Sequence, residues 1–407
     1  MSEFKKIFTN LIFSLIVFSV FMSAGCQISA KKIEENDYPT PDVIIEDKPT
    51  VKTAEDIEKL NKDALKEDVD SLSKDDRFYF NPTFIPERLK GKYVNNPKVV
   101  RMARDLMNAV YETDKSINFS ESEYGPLTDQ DVEDAIELAN VSGILLQGAE
   151  FRGEGVGEWE IVYFPTLSFT ATPDNDFDFT SDDGISSEEA RVKFENTVDY
   201  INHAVNDNLN KDSTAEERAR KIYEQIVRDF EIDETINQVT ISYQSDGESD
   251  DEGNDPENIT VEGNAFGYGG VINGIESKKF MSYDLSLLYS YILDQLHIDS
   301  YAVSAGGNFK GEASFANFSG MSEGWGIWNI VKIQDNYYHC SPGLEIMVFK
   351  DKHPNDKIET SDLSYFGMSD EKMKETFDFR KSEAFVFNDL YGNGNWEIPE
   401  CTDSLHY

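Results

Sequence analysis

FMSYDLSLLYSYILDQLHI (residues 280–298) and WGIWNIVKIQDNYYHCS (residues 325–341) decide the fold. The first is apolar around its whole circumference and long enough for a helix buried on all sides. The second alternates β-branched and aromatic residues with polar ones, and QDN at 334–336 interrupts it as a hairpin turn would. Between them DSYAVSAGG, residues 299–307, reads as one more strand. A buried helix followed by strands, with further helices before it, places the chain in the α+β class.

Working outward, SSEEARVKFENTVDYINHAVNDNL (186–209) and STAEERARKIYEQIVRDFEI (213–232) read as helices. Each opens with Ser or Thr followed three residues later by Glu, the pattern of a capping box. Further upstream, NPKVVRMARDLMNAVYET (96–113) spaces Val99, Val100, Met102, Ala103, Leu106, Met107 and Val110 as one helical face. LTDQDVEDAIELANVS (127–142) has a Thr cap and an acidic first turn. SINFSES (116–122) and EWEIVYFPTLSFTAT (158–172) alternate as strands, the latter as a strand or hairpin. Residues 27 to about 77 carry mixed charges and prolines 39, 41 and 49, the composition of a disordered tether, with one amphipathic helix expected from Glu55 to Leu72.

The order IYEQIVRDFEID, NAFGYGGVING, SYDLSLLYSYILDQLHI, GIWNIVKIQDNYYHCS and YFGMSDEKM, between Thr214 and Asp403, resembles the bacterial transglutaminase-like domain of the papain-like fold superfamily. The closing WEIPECTD is similar to the tail of such proteins, and Val94 to Phe179 resembles the α/β module that often precedes the domain. The resemblance implies a Cys-His-Asp triad, but its positions fall on Ser282, Gly326 and Ser341. Asp284 and Leu285 stand where the family has Gly-Tyr, and about four residues are inserted before Ser282. A serine hydroxyl is far less acidic than a thiol and needs a general base within hydrogen-bond reach. Gly326 brings none, so the triad is read as degenerate and the chain as not an enzyme. His339, two residues before Ser341, is expected to share its strand face and to serve in packing or as a supporting hydrogen-bond partner. The alternative is a hydrolase or acyltransferase with Ser282 as nucleophile.

The first 26 residues begin with Lys5 and Lys6, continue through the apolar run at 7–22 and end in Ser23, Ala24, Gly25 and Cys26. That is the layout of an export signal, and SAGC resembles the lipobox of bacterial lipoproteins, with Ser23 where Leu is usual. The resemblance implies diacylglycerol on Cys26 and a protein anchored to the outer face of the cell membrane. The expected division is a lipoprotein signal peptide at 1–26, the tether at 27–77, a small α/β domain at 78–185, the transglutaminase-like domain at 186–403 and a tail at 404–407.

A formal charge of −41 leaves no basic surface to displace counterions from phosphates, which argues against nucleic-acid binding. It equally works against adhesion to anionic headgroups and suits solubility. DNDFDFTSDDG at 174–184 offers Asp174, Asp176 and Asp178, but the sixth position is Phe179 where a calcium loop needs Gly, so it reads as a solvated acidic loop. No histidine–cysteine spacing suggests zinc, and no glycine pattern suggests a phosphate loop, so no metal or cofactor is expected. Cys340 and Cys401 are left open as a pair or as free thiols. Phe315, Phe318 and Trp325, in the glycine- and serine-rich stretch between two strands, would border the remnant cleft. They are the candidates for binding a peptide, glycan or protein partner. A purely structural role in the envelope is the third reading.

Overall fold

The computed structural model describes residues 53–69, 71–72, 77–163, 169–171, 177–178, 184–232, 239–244, 258–263, 270–310, 325–353, 356–359, 363–381, 384–390 and 398–405. Cys26, Phe315 and Phe318 lie outside them, as does most of the acidic loop at 174–184.

Within 27–77 the description begins at Thr53, which caps helix α1 (Ala54–Asp63) by accepting from Asp56 N. The helix expected to reach Leu72 stops at Asp63, yet the chain beyond it is packed. Leu72 is fully buried, and Asp68 meets Lys90 and Arg104, each at 2.9 Å. Phe78 and Phe80 follow into the core, and their backbone is held by side-chain amides. Asn206 pairs with both the N–H and C=O of Phe78, Asn202 accepts from Phe80 N, and Gln295 pairs with both groups of Asn81. Buried backbone groups outside a sheet need such partners.

Helix α2 (Pro97–Tyr111) starts with Pro97 where no N–H is needed, and all seven apolar positions of its expected face are buried. Helices α3 (Asp129–Ser142), α4 (Ser187–Asn206) and α5 (Ala215–Asp229) open with reciprocal capping boxes at Thr128–Asp131, Ser186–Glu189 and Thr214–Glu217. Strands β1 (Ser116–Asn118), β2 (Ala149–Arg152) and β3 (Glu158–Tyr163) form a sheet in the order β1-β3-β2, with β1 beside α2. Within the stretch at 158–172, Glu158–Tyr163 is thus a strand whose partners are β1 and β2. Strands β4 (Phe169–Ala171) and β5 (Phe177–Asp178) leave that sheet. They join β7 (Val239–Gln244) and β8 (Asn258–Gly263) in the order β5-β4-β8-β7, so strands from both sides of residue 185 share one sheet. β6 (Glu231–Ile232) runs parallel to β9 (Lys279–Phe280).

Helix α6 (Ser282–Gln295) is buried at every residue except Asp284, as its apolar circumference requires. It packs on α5, on α7 (Pro342–Lys352), and on β10 (Ser300–Phe309) and β11 (Trp325–Ile333). β11 turns at Gln334–Asp335 into β12 (Asn336–Cys340), and Gln334 takes the left-handed conformation at φ 57° that closes this two-residue loop. The sheet order is β12-β11-β10-β13, with β13 (Phe377–Phe379) and β14 (Phe385–Val386) both on β10. A short helix α8 (Asp370–Thr376) precedes β13.

This sheet has two apolar faces. Ala302, Val331, Tyr338 and Cys340 lie in the large core with α6, while Val303, Ala305, Trp328 and Ile330 join Phe377, Phe379 and Cys401 on the other side. Strand alternation thus sorts even positions of β11 away from the buried helix and odd positions toward it. Asn329 on the helix side donates to Ser286 O at 2.8 Å and Ser290 Oγ at 2.9 Å, a polar tie between β11 and α6. The molecule is a mixed helix and sheet structure of the α+β class.

Candidate functional site

Ser282 is the first residue of α6, following Met281 at the cap position, and is 2% exposed. Its Oγ lies 3.8 Å from Met347 Sδ. A Cβ added to Gly343 would come within 2.8 Å of that same oxygen, so the start of α7 rests directly on the hydroxyl. Only glycine allows this approach. Ser341 is the N-cap of α7, its Oγ accepting from Leu344 N, and its carbonyl accepts from Tyr223 Oη at 3.0 Å. Ser282 and Ser341 are therefore brought to adjoining helix starts.

Gly326 goes elsewhere. It sits in β11 opposite Ala305, and a Cβ there would meet the Phe377 ring at 2.5 Å. That direction is the outer face of the sheet, on the side away from α6. A histidine at this position would have to displace a fully buried phenylalanine. Trp325 begins β11 opposite Gly306, and its side chain lies outside the described residues.

His339 also points to the outer face. The strand ends at Cys340 and Ser341 turns into the helix cap, so the strand face expected for His339 and Ser341 does not continue. Trp328 Nε1–H donates to His339 Nδ1 at 2.9 Å, and Nε2 meets Asp370 Oδ1 at 2.8 Å. An indole nitrogen only donates, so Nδ1 holds a lone pair and Nε2 carries the proton given to Asp370. Burial lowers the affinity of His339 for a second proton, although Asp370 opposes this. Burial raises the Asp370 carboxyl, but hydrogen bonds from His339 and Lys381 outweigh it and hold the group well below the ordinary carboxylate range. With both nitrogens engaged on the far side of the sheet, His339 offers no base to Ser282.

His339, Asp370 and Cys401 each present one potential ligand atom, all within 4.8 Å of one another. The donor set does not suit a cation. A neutral imidazole bound through Nε2 would carry its proton on Nδ1, where the Trp328 N–H already points, leaving two donors face to face. The Cys401 thiol is pushed well above its ordinary pKa by burial and by the Asp370 charge, so the thiolate a metal needs is disfavoured.

On the helix side, Glu345 is 3% exposed and accepts from Tyr223 Oη at 3.0 Å, Ser364 N at 2.9 Å and Tyr365 N at 2.7 Å. These donors replace the water a buried carboxylate would otherwise demand. Cys340 is free, and burial pushes its thiol up to about 12. Cys401 is free as well, in the cluster on the opposite face, so the two thiols do not form a disulfide.

The sequence reading missed Asp370, Glu345 and the Asp294–Arg88 pair, which meets at 2.9 Å with Asp294 buried in α6. A signal existed for one: Asp294 is an acid inside the apolar run SYILDQLHI. None of the described helices is long and apolar enough to cross a membrane. No family model matches the chain, and no curated protein matches it either.

Proposed function

We propose that this chain is a surface lipoprotein, held to the membrane by lipid on Cys26, whose C-terminal part is a non-catalytic transglutaminase-like domain that binds an extracellular peptide, cell-wall component or protein partner. The observation that carries the reading is the surroundings of the Ser282 hydroxyl. It is enclosed by Gly343 and Met347, while the one histidine of the same sheet spends both nitrogens on Trp328 and Asp370. Nucleophilic catalysis needs a base within hydrogen-bond reach and a path for substrate. With Ser282 covered by the start of α7 and His339 committed on the far side of the sheet, this arrangement suits recognition better than turnover.

A serine-reactive fluorophosphonate tests this. The purified chain stays unlabelled under conditions that label an active serine hydrolase. Labelling that disappears in Ser282→Ala would overturn the reading in favour of a hydrolase or acyltransferase. Cross-linked partners recovered from intact cells separate a binder from a structural envelope component: Trp325→Ala reduces their yield in the first case and leaves it unchanged in the second. Incorporation of labelled fatty acid, lost in Cys26→Ala, reports the anchor.

A further inference from the structure

Where the Phe80–Phe84 segment crosses the C-terminal end of α6, a cavity of about 10 Å³ opens between Phe80, Phe84, Ile144 and Tyr291. Most polar groups on its wall are committed. The Gln295 amide pairs with the backbone of Asn81 at 2.9 Å on both sides, and Tyr291 Oη donates to Asn140 O at 3.3 Å. Ser142 and Asp294 also line this cavity, and Ser142 Oγ and Asp294 Oδ1 are buried with no hydrogen-bond partner among the described residues. Their residues are 6% and 4% exposed. An orphaned buried oxygen is costly, so two on the lining of one small space point to a guest that bonds both.

We propose that Ser142 and Asp294 form an internal binding site for one water molecule, which bridges helix α3 to the core helix α6. The size suits one water, which needs a cavity on the order of 10–15 Å³. The charge excludes an ion. Asp294 Oδ2 is already neutralised by Arg88 at 2.9 Å, so a cation would face the guanidinium and an anion the carboxylate. The bonding pattern asks for a molecule that both donates and accepts. Water donates to Asp294 Oδ1, and exchanges either role with the Ser142 hydroxyl.

Two measurements on the full chain test the site. A high-resolution crystal structure shows one ordered water within hydrogen-bond distance of both Ser142 Oγ and Asp294 Oδ1. An empty cavity, a side chain closing it, or a sodium ion at the position would each overturn the proposal. Magnetic relaxation dispersion of the solvent counts long-lived internal waters, and Ser142→Val, which removes the hydroxyl and fills the space, loses one. An unchanged count in a variant whose circular dichroism matches the parent overturns the proposal. Should the valine variant fail to fold, Ser142→Ala serves in its place: the bridging water then exchanges faster than in the parent, and an unchanged residence time counts against the site.

Discussion

Trp328 and His339 face one another across adjacent strands, the indole N–H donating to the imidazole Nδ1 at 2.9 Å. This single bond sets the tautomer of the histidine, directs its proton to Asp370 and removes it from any chemistry on the helix side of the sheet. Trp328→Phe keeps most of the ring volume and deletes the donor. It leaves a buried acceptor unpaired and costs roughly 1–3 kcal/mol. Urea unfolding of parent and variant measures it, and a loss below about 0.5 kcal/mol would show that the bond does not hold the ring in place.

Phe377 occupies the volume a side chain at Gly326 would need. Rebuilding the expected triad by Ser282→Cys with Gly326→His and Ser341→Asp therefore produces no activated thiol. Alkylation of position 282, followed by mass spectrometry near neutral pH, is no faster in the triple variant than in Ser282→Cys alone. Gly326→His by itself destabilises the fold by about 1–3 kcal/mol through overpacking, and adding Phe377→Ala relieves part of that cost. Accelerated alkylation in the triple variant would contradict the geometry.

Burial raises the Asp294 carboxyl from its ordinary value of 3.8 to about 7, even though Arg88 pulls the other way. The folded chain thus holds this proton more tightly than the unfolded one. Stability from the group is full below the unfolded value and is lost as pH rises from about 4 to about 7. Asp294→Asn keeps an acceptor for Arg88 and cannot ionise, so relative to the parent it gains stability between about pH 5 and about pH 8. Urea midpoints at the two pH values report the change, and an equal difference at both would sink the prediction.

Asp370 works with the opposite sign. Its carboxyl is depressed by His339 and Lys381, so the stability it contributes is present above the unfolded carboxylate value and lost as pH falls through the folded one. Lys381→Met removes one of the two stabilising partners. The near-ultraviolet circular dichroism of the variant then collapses at a higher pH on acid titration than that of the parent. Coincident acid midpoints would show that Lys381, 2.8 Å from Asp370, contributes nothing to that carboxyl.

Local features were readable from the chain because their causes are local. The capping boxes at Ser186 and Thr214 and the cap at Thr128 need only Ser or Thr and a nearby acid, and the turn at Gln334–Asp335 needs only a break between two alternating runs. The tether was misjudged past Asp63 because its packing rests on distant partners: Asp68 on Lys90 and Arg104, Phe78 on Asn206. At the candidate site, Ser282 was correctly expected at the start of the buried helix. His339 was expected to share a strand face with Ser341, but the strand ends at Cys340 and Ser341 leaves it to cap α7.

By itself the sequence determined helices α2 to α6, the strand pair after the buried helix and the absence of histidine at Gly326 and of cysteine at Ser282. Periodicity, caps and residue identity are properties of neighbours along the chain. Only the tertiary structure decided that Phe377 fills the space beside Gly326, that Gly343 seals Ser282, that His339 turns to Asp370, and that Phe169–Ala171 pairs with Asn258–Gly263. Each of these joins residues far apart in sequence, and such contacts follow from how faces are buried against one another, which no local pattern encodes.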